Sequence, residues 1–361
     1  MPIEKISIDR FLELGKKFPV LDVRSPGEYT HAHIPGAYNI PLFTDEERKM
    51  VGTTYKQQSR EAAIKIGLDY FGPRMRPIVE SVESLVGPLF PAPGSKQVLI
   101  HCWRGGMRSA GVAWLLDLYG YKVCTLTGGY KSYRNWIIET FSFPFIFNIL
   151  GGYTGSGKTH VLNELQRKGA AVIDLEKLAR HKGSAFGNIG MPRQPTQEMF
   201  ENLLSHELRA QIKSNVDTPA VMTGPIWLED ESQRIGQINL PHTLWNTMQR
   251  SPMLFLDIPF EERLKYIVQE YGELDKEKMA NAIVRIKKRL GPLEIKTALQ
   301  MLGEGDIESC FRILLKYYDK SYNKALGNRE QSKSLLTNLN CTTVDAALNT
   351  DKINLKEVSI Y

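Results

Sequence analysis

The chain reads FIFNILGGYTGSGKTH over residues 145–160, and this stretch decides the fold of its second half. The apolar run at its start predicts a buried strand, and Gly152 to Thr159 satisfies the pattern G-x-x-x-x-G-K-[ST] directly after it. The residues KTHVLNELQRKG that follow have the spacing of an amphipathic helix. A strand, a glycine-rich loop and a helix in this order predict a phosphate-binding loop, whose backbone amides face an anion.

The residues of this loop have separate predicted tasks. The backbone amides surround a diphosphate, Lys158 neutralises its oxygens, and the Thr159 hydroxyl is a candidate ligand for Mg²⁺. Asp257, at the end of the apolar stretch MLFLDIP, is a second candidate ligand, although a turn at a strand end explains this aspartate equally well. The predicted diphosphate site consists of Gly152, Gly155, Ser156, Gly157, Lys158 and Thr159.

The first half of the chain predicts a separate α/β domain. Short apolar runs (PVLDV, QVLIHC, KVCTL) alternate with helical stretches such as SAGVAWLLDLYG, which is typical of a parallel sheet with crossover helices. A charged insertion over residues 45–75 predicts a helix with basic residues on one side, either a solvated face or a contact for a polyanion. The segment ETFSFP (139–144) separates the predicted domains, 1–138 and 145–361, and the second ends in a helical part with clustered cations.

Composition and charge limit the classes of protein. The chain has 361 residues, and 46 Lys and Arg against 40 Asp and Glu permit an anionic partner without requiring one. Its four cysteines have no C-x-x-C spacing, which argues against a zinc site and fits a reducing compartment. No stretch reaches the roughly 20 apolar residues of a membrane span, and the N-terminus lacks a signal peptide. We therefore expect a cytoplasmic protein without membrane contact.

A cysteine loop is the second chemical signal. The strand VLIHC ends at Cys102, and MRSAGVAWLLDLYG begins a helix, so WRGGM forms a tight loop rich in backbone amides. Such a loop is an anion nest, and together with Arg104 and Arg108 it is expected to favour the thiolate of Cys102. Cys102 is therefore a candidate nucleophile, whereas Cys124 in KVCTL is interpreted as a packing residue.

Two further stretches, RHKGSAFGNIG (180–190) and WLEDESQRIG (227–236), combine glycine with polar side chains just after apolar strands. Ligands bind at such positions in open α/β sheets, although an ordinary surface loop remains an alternative. The pocket candidates are His181, Lys182, Ser184, Glu229, Ser232 and Arg234.

The first half resembles a rhodanese domain. LDVRSPGEYTHAHIPGAYNIPL, followed some distance later by the cysteine loop, carries this resemblance, and Asp22 and Arg24 occupy the positions of the buried polar pair of that family. The C-x5-R spacing from Cys102 to Arg108 is similar to that of the dual-specificity phosphatase relatives of the fold. A phosphatase or sulfurtransferase fused to a kinase-like domain is therefore an alternative reading.

Both halves together resemble the tRNA 2-selenouridine synthase family, through the domain order and the motifs HCWRGGMRS, GGYTGSGKT, HKGSAFG and EDESQRIG. The resemblance implies replacement of sulfur by selenium in wobble 2-thiouridine of tRNA, with selenophosphate as donor, through an S-geranyl intermediate made from geranyl diphosphate. It implies Cys102 as the selenium-carrying nucleophile, and tRNA and a supplier of selenophosphate as partners. No tightly bound cofactor is expected, and Mg²⁺ is an open possibility at Thr159 and Asp257.

A non-catalytic RNA-binding protein on the same scaffold is a third hypothesis. The intact Cys102, Arg108, Lys158 and Thr159 speak against it, because a scaffold without catalysis does not require these residues. The phosphatase alternative predicts release of phosphate from a phosphoester and loss of that activity in Cys102→Ser.

Overall fold

The computed structural model describes residues 3–86, 88, 96–215, 218–222, 224–327 and 332–353. The chain forms two compact units, Met1–Thr140 with Glu201–Leu203, and Phe141–Phe200 with Leu204–Tyr361. Each unit has a parallel sheet with helices, so the predicted α/β class is confirmed. Within the described part of the chain, no helix combines the length and the apolar character needed to cross a bilayer.

The first unit follows the predicted alternation of strands and helices. Its elements are β1 (Glu4–Ile6), α1 (Ile8–Gly15), β2 (Val20–Asp22), α2 (Pro26–His31), β3 (Tyr38–Asn39), α3 (Asp45–Gln57), α4 (Arg60–Val86), β4 (Gln97–His101), α5 (Met107–Leu118), β5 (Lys122–Leu126) and α6 (Gly129–Thr140).

The sheet of this unit has the strand order β1-β5-β4-β2-β3, and every strand pair is parallel. The central strand β4 is the apolar run QVLIH, and Val98, Leu99 and Ile100 are fully buried because helices cover both faces of a parallel sheet. Cys102 directly follows this strand, so the core fixes the position of the cysteine loop.

The charged insertion forms two helices, α3 and α4, where one was predicted. Two of its arginines pair within the unit: Arg74 lies 2.8 Å from Glu47, and Arg48 lies 3.5 Å from Glu28. These pairs favour the reading of the insertion as a solvated face, because a paired guanidinium is less available to a polyanion.

The second unit contains the remaining elements. They are β6 (Phe147–Gly152), α7 (Lys158–Arg167), β7 (Ala171–Val172), α8 (Leu175–Ala179), α9 (Gln197–Ala210), β8 (Ile212–Asn215), β9 (Thr218–Met222), β10 (Ile226–Glu229), β11 (Arg234–Ile235), β12 (Ile238–Asn239), α10 (His242–Gln249), β13 (Met253–Asp257), α11 (Phe260–Tyr271), α12 (Lys276–Arg285), α13 (Lys287–Leu290), α14 (Pro292–Glu304), α15 (Ile307–Gly327), α16 (Ser332–Leu335), β14 (Leu336–Asn340) and α17 (Ala346–Asp351).

The main sheet of the second unit has the parallel order β14-β13-β6-β10-β7. The strand β6 is central: β10 and β7 lie on one side of it, and β13 and β14, which come later in the chain, lie on the other. The carboxyl end of such a strand is the usual ligand crevice of an open α/β sheet. The region after residue 260 is helical as predicted, except that β14 pairs with β13. This edge strand, LTNLN, is partly exposed and has little apolar signal.

Candidate functional site

The cysteine loop surrounds the sulfur of Cys102 with hydrogen-bonding groups. The Gly106 amide donates to Sγ at 3.3 Å, and the Ser109 hydroxyl oxygen lies 3.2 Å from Sγ. The same hydroxyl is 3.0 Å from the Gly106 carbonyl, so its single proton can be donated either to that carbonyl or to the sulfur. The side chain of Cys102 is buried at the N-terminal end of α5. This arrangement favours a negative charge on the sulfur.

The first residues of α6 contact the backbone of the cysteine loop. The Tyr130 amide donates to the Cys102 carbonyl at 2.8 Å, and the two backbones approach so closely that a Cβ on Gly129 would lie 2.4 Å from that carbonyl oxygen. Gly129 also has φ +60°, which favours glycine. The loop that presents the sulfur is therefore held by backbone contacts.

The Cys102 thiol has a lowered pKa. Burial opposes its ionisation, but the hydrogen bonds from Ser109 and Gly106 and the positive charge of Arg108 outweigh burial. The other three cysteines differ, because burial raises the pKa of each thiol (Cys124, Cys310 and Cys341). The structure thus distinguishes Cys102 as the cysteine suited to nucleophilic chemistry at neutral pH.

The two predicted arginines of the loop have different surroundings. Arg108 donates a hydrogen bond of 2.7 Å to a carboxylate oxygen of Glu28 on α2, whereas Arg104 is exposed on the loop. Glu28 is a residue that the sequence did not single out, and its pairing fixes the guanidinium of Arg108.

Ser109→Ala is expected to weaken the activation of Cys102. The variant removes one hydrogen bond to the thiolate, worth roughly 1.5 kcal/mol, so the pKa of Cys102 rises and alkylation by iodoacetamide at pH 7 slows about tenfold. Peptide mass spectrometry of each cysteine across a pH series measures this rate. Ser81→Ala, at an exposed serine of α4, is the control. Equal rates in both variants would contradict the assigned role of Ser109.

The buried polar pair that the rhodanese resemblance implies, Asp22 and Arg24, is present in the structure. Asp22 and Arg24 are buried and form an ion pair of 2.6 Å, and Arg24 also donates to the Ala32 carbonyl at 2.7 Å. The guanidinium lies 3.7 Å from the centre of the Tyr130 ring. These contacts leave the pair no exposed surface, so its role is structural support of the first unit.

The phosphate-binding loop joins β6 to α7 as predicted. Gly157 caps the helix with φ +69°, and Gly155 has φ +83°. The Lys158 ammonium donates to the Gly152 carbonyl at 3.0 Å, and the Ser156 hydroxyl donates to the Tyr153 carbonyl at 2.7 Å. Lys158 therefore lies across its own loop, at the N-terminus of a ten-residue helix where an anion is stabilised.

Two residues that the sequence did not single out hold this loop in place. The buried Arg263 of α11 donates to the Thr154 carbonyl at 3.1 Å and pairs with Asp319 at 2.7 Å. The Tyr322 hydroxyl of α15 accepts from the Gly152 amide at 3.3 Å and donates to Asp230 at 2.6 Å. The helical C-terminal part therefore helps to shape the phosphate site.

A pocket of about 990 Å³ opens at the loop. The predicted residues Lys182, Ser184, Glu229 and Ser232 line it together with the whole phosphate-binding loop from Gly152, apart from Tyr153. Three predicted residues lie outside its lining: His181, Arg234 and Asp257. His181 is buried, Arg234 donates to the Gly236 carbonyl at 2.9 Å, and the Asp257 side chain is exposed at the end of β13. The structure thus does not support Asp257 as a ligand beside Thr159.

Carboxylates from other segments lie beside the loop instead. Glu229 ends β10, Glu231 follows it, and Glu176 lies on α8. Burial raises the pKa of all three carboxyl groups, and the mutual repulsion of neighbouring carboxylates raises the pKa of Glu176 and Glu231 further. Sequence reasoning singled out only Glu229, because Glu176 comes from a different segment and nothing local distinguishes Glu231 from the acidic residues beside it.

The remaining wall of the pocket is largely apolar and aromatic. Phe311, from the long helix α15, lies 5.8 Å from Phe186 and 6.0 Å from Tyr271 between ring centres. These rings, with Leu314 and Leu315, belong to one apolar cluster that reaches the pocket. One pocket thus offers an anion site and an apolar surface together.

Comparison with known proteins identifies both halves. Residues 145–353 match the family model described as the tRNA 2-selenouridine synthase AAA domain, and residues 7–135 match the rhodanese-like domain. The first model alone covers more than half of the chain.

Three similar proteins are named tRNA 2-selenouridine synthase. The one from Nitrosomonas europaea is 37% identical over 70% of this chain and 63% of its own length. The one from Bdellovibrio bacteriovorus is 39% identical over 75% of this chain and 69% of its own. The one from Hydrogenovibrio crunogenus is 33% identical over 87% of this chain and 91% of its own. The match thus spans less than two thirds of the first relative and nearly all of the third.

Proposed function

The chain belongs to the tRNA 2-selenouridine synthase family, and on this premise we propose that it replaces the sulfur of wobble 2-thiouridine in tRNA by selenium. The proposed selenium donor is selenophosphate, and the proposed intermediate is S-geranyl-2-thiouridine made from geranyl diphosphate. The observation that carries the proposal is the pocket in which the phosphate-binding loop and an apolar wall occur together.

The first proposed step activates the sulfur of the RNA. This sulfur attacks C1 of geranyl diphosphate, the bond from C1 to the diphosphate oxygen breaks, and the N3 proton of the base is released. Charge develops on the departing diphosphate, so the loop amides, the α7 N-terminus and Lys158 are suited to stabilise it. A divalent cation held by Thr159 and neighbouring carboxylates would add further positive charge there.

The apolar wall of the pocket supports a prenyl group on the donor. Burial of each methylene of a hydrocarbon chain contributes about 0.8 kcal/mol, and the rings of Phe186, Tyr271 and Phe311 offer a surface for this. The phosphate site alone suits many diphosphates. The combination with the apolar wall favours a ligand with a charged head and an apolar tail.

The second proposed step exchanges the elements. Selenium attacks C2 of the S-geranylated base, the bond from C2 to sulfur breaks, and geranyl thiol leaves with a proton. Water then completes the release of phosphate from the donor. We assign binding of selenophosphate to the cysteine loop, because its amides and Arg108 suit a tetrahedral oxyanion. The Cys102 thiolate, whose pKa is lowered, would accept a proton from the donor as selenium attacks C2 and return it to the departing geranyl thiolate.

Binding of tRNA is proposed to use exposed cations of the helical part. Lys287, Lys288 and Arg289 are exposed on the short helix α13. If each contacts a phosphate, the triple substitution to glutamine lowers the slope of log affinity against log salt by about 2 to 3. Filter binding of tRNA over a salt series measures the slope. A slope equal to that of the unmodified protein would locate the tRNA contact elsewhere.

The nucleosides of a strain that lacks the protein test the proposed function. We expect 2-selenouridine to be absent from its tRNA, 2-thiouridine to remain, and the unmodified chain to restore 2-selenouridine when supplied in trans. Normal 2-selenouridine in the deletion strain would refute the proposal.

A further inference from the structure

Glu176, Glu229 and Glu231 are grouped so that an oxygen of each carboxylate lies within 4.8 Å of the others. Oxygens on opposite sides of one bound Mg²⁺ or Ca²⁺ are about 4 to 5 Å apart, because the metal–oxygen distances are about 2.1 and 2.4 Å. The spacing of the three carboxylates therefore fits a single ion, with little movement of the side chains.

A buried oxygen without a partner points independently to a ligand. Glu229 is 1% exposed, and within the described residues its Oε1 has no hydrogen-bond partner, although its carboxylate also interacts with the Thr159 side chain. An unpaired polar atom at such depth destabilises the folded chain, and more so when it is charged. A cation that binds Oε1 removes this destabilisation.

The charges around the cluster are also unbalanced. Lys158 is the cation that acts on all three carboxylates, whereas Asp174 and Asp230 add further negative charge nearby. The ammonium of Lys158 donates to the Gly152 carbonyl. One lysine would not balance three ionised carboxylates, and their mutual repulsion raises the pKa of Glu176 and Glu231; a divalent ion would compensate the charge that ionisation of the cluster creates.

A glycine of the HKGSAFG motif leaves room for this grouping. A Cβ on Gly183 would lie 2.7 Å from a Glu176 oxygen and 2.8 Å from a Glu231 oxygen, and Gly183 has φ +64°. Only glycine fits there without displacing both carboxylates. The sequence of this loop is thus adapted to the two side chains.

We propose that Glu176, Glu229 and Glu231 form a binding site for one divalent cation of the oxygen-preferring class, such as Mg²⁺ or Mn²⁺, beside the phosphate-binding loop. Carboxylate oxygens are the donors that these ions prefer. The site itself stands on the carboxylates, whereas its task of compensating the charge of a prenyl diphosphate rests on the proposed function.

Titration with Mn²⁺ alone tests the site. The complete chain, without tRNA or diphosphate, is titrated while electron paramagnetic resonance records free Mn²⁺. We expect one bound Mn²⁺ per chain. In Glu231→Gln and Glu176→Gln we expect the affinity for Mn²⁺ to fall at least about 100-fold, because loss of a residue that only supports a ligand already lowers metal affinity about 10- to 100-fold. Glu270→Gln is the matched control, because Glu270 lines the same pocket but lies 3.6 Å from Lys182.

Thermal melting shows whether the variants fold. Glutamine has nearly the same size and polarity as a protonated glutamate, and the pKa of both groups is raised, so Glu231→Gln and Glu176→Gln should melt no lower than the unmodified chain in the absence of metal. Mn²⁺ should raise the melting temperature of the unmodified chain and of Glu270→Gln only.

Two results would overturn the cation site: an unmodified chain that binds no Mn²⁺, or glutamine variants that fold and bind Mn²⁺ as tightly as the unmodified chain. Failure of the proposed function has a different signature, namely a chain that binds Mn²⁺ through these glutamates and transfers no geranyl group to 2-thiouridine. Geranyl transfer that proceeds normally in a chain that binds no Mn²⁺ would refute the cation site and leave the proposed function standing.

Discussion

Cys102→Ala is expected to geranylate 2-thiouridine in tRNA and to stop there, so that the S-geranyl nucleoside accumulates and 2-selenouridine is absent. In the proposed first step the nucleophile is the sulfur of the RNA, so prenyl transfer would require no protein thiol. Cys102 belongs to the first unit and the phosphate-binding loop to the second. Mass spectrometry of nucleosides from tRNA treated with the purified variant measures both products.

Cys124→Ala is the matched control for this experiment. Cys124 is also a buried cysteine of the first unit, but burial raises the pKa of its thiol, and it lies within β5 rather than in the cysteine loop. We expect this variant to form 2-selenouridine normally. If Cys102→Ala bound tRNA normally and yet formed no S-geranyl nucleoside, the division of the two steps between the two sites would be wrong.

Lys158→Ala is expected to fail at the opposite step. Lys158 lies across the loop that would hold the diphosphate, and loss of one preorganised charge-stabilising group typically lowers the rate 10²- to 10³-fold, roughly 3 kcal/mol. Single-turnover transfer of geranyl to 2-thiouridine in tRNA measures this loss. Lys168→Ala, at the other end of α7, is the control, because Lys168 pairs with Asp351 away from the pocket.

Supply of the intermediate separates the two roles further. When tRNA that already carries S-geranyl-2-thiouridine is provided, Lys158→Ala should recover selenation, because its cysteine loop is intact. Loss of selenation on this substrate, in a variant that melts normally, would show that Lys158 also serves the second step.

Most features of the fold and of the site that were predicted correctly lie in short local motifs. The phosphate-binding loop, the cysteine loop and the Asp22–Arg24 pair each lie within a short segment whose residue types and spacing are set by one strand and the turn after it. In such segments, the pattern of apolar residues, glycines and charges depends on neighbours in sequence. For this reason the α/β class and the position of both loops could be read from the sequence.

Contacts between distant segments could not be predicted in this way. Glu176 on α8 approaches Glu231, which follows β10, and Arg263 reaches Thr154 across 109 positions of sequence. Neither Glu176 nor Arg263 has a local sequence pattern that distinguishes it from an ordinary helix residue. Asp257 illustrates the same point, since a place at the end of a strand next to β6 does not determine where its side chain points, and the structure leaves Asp257 outside the pocket lining.

The most direct test of the account is a two-stage reaction of the purified chain with tRNA that contains 2-thiouridine. Geranyl diphosphate is added first and selenophosphate second, and nucleosides are measured after each addition. We expect S-geranyl-2-thiouridine after the first addition, and its replacement by 2-selenouridine with release of geranyl thiol after the second. Formation of 2-selenouridine without geranyl diphosphate, or no S-geranyl nucleoside at the first stage, would contradict it.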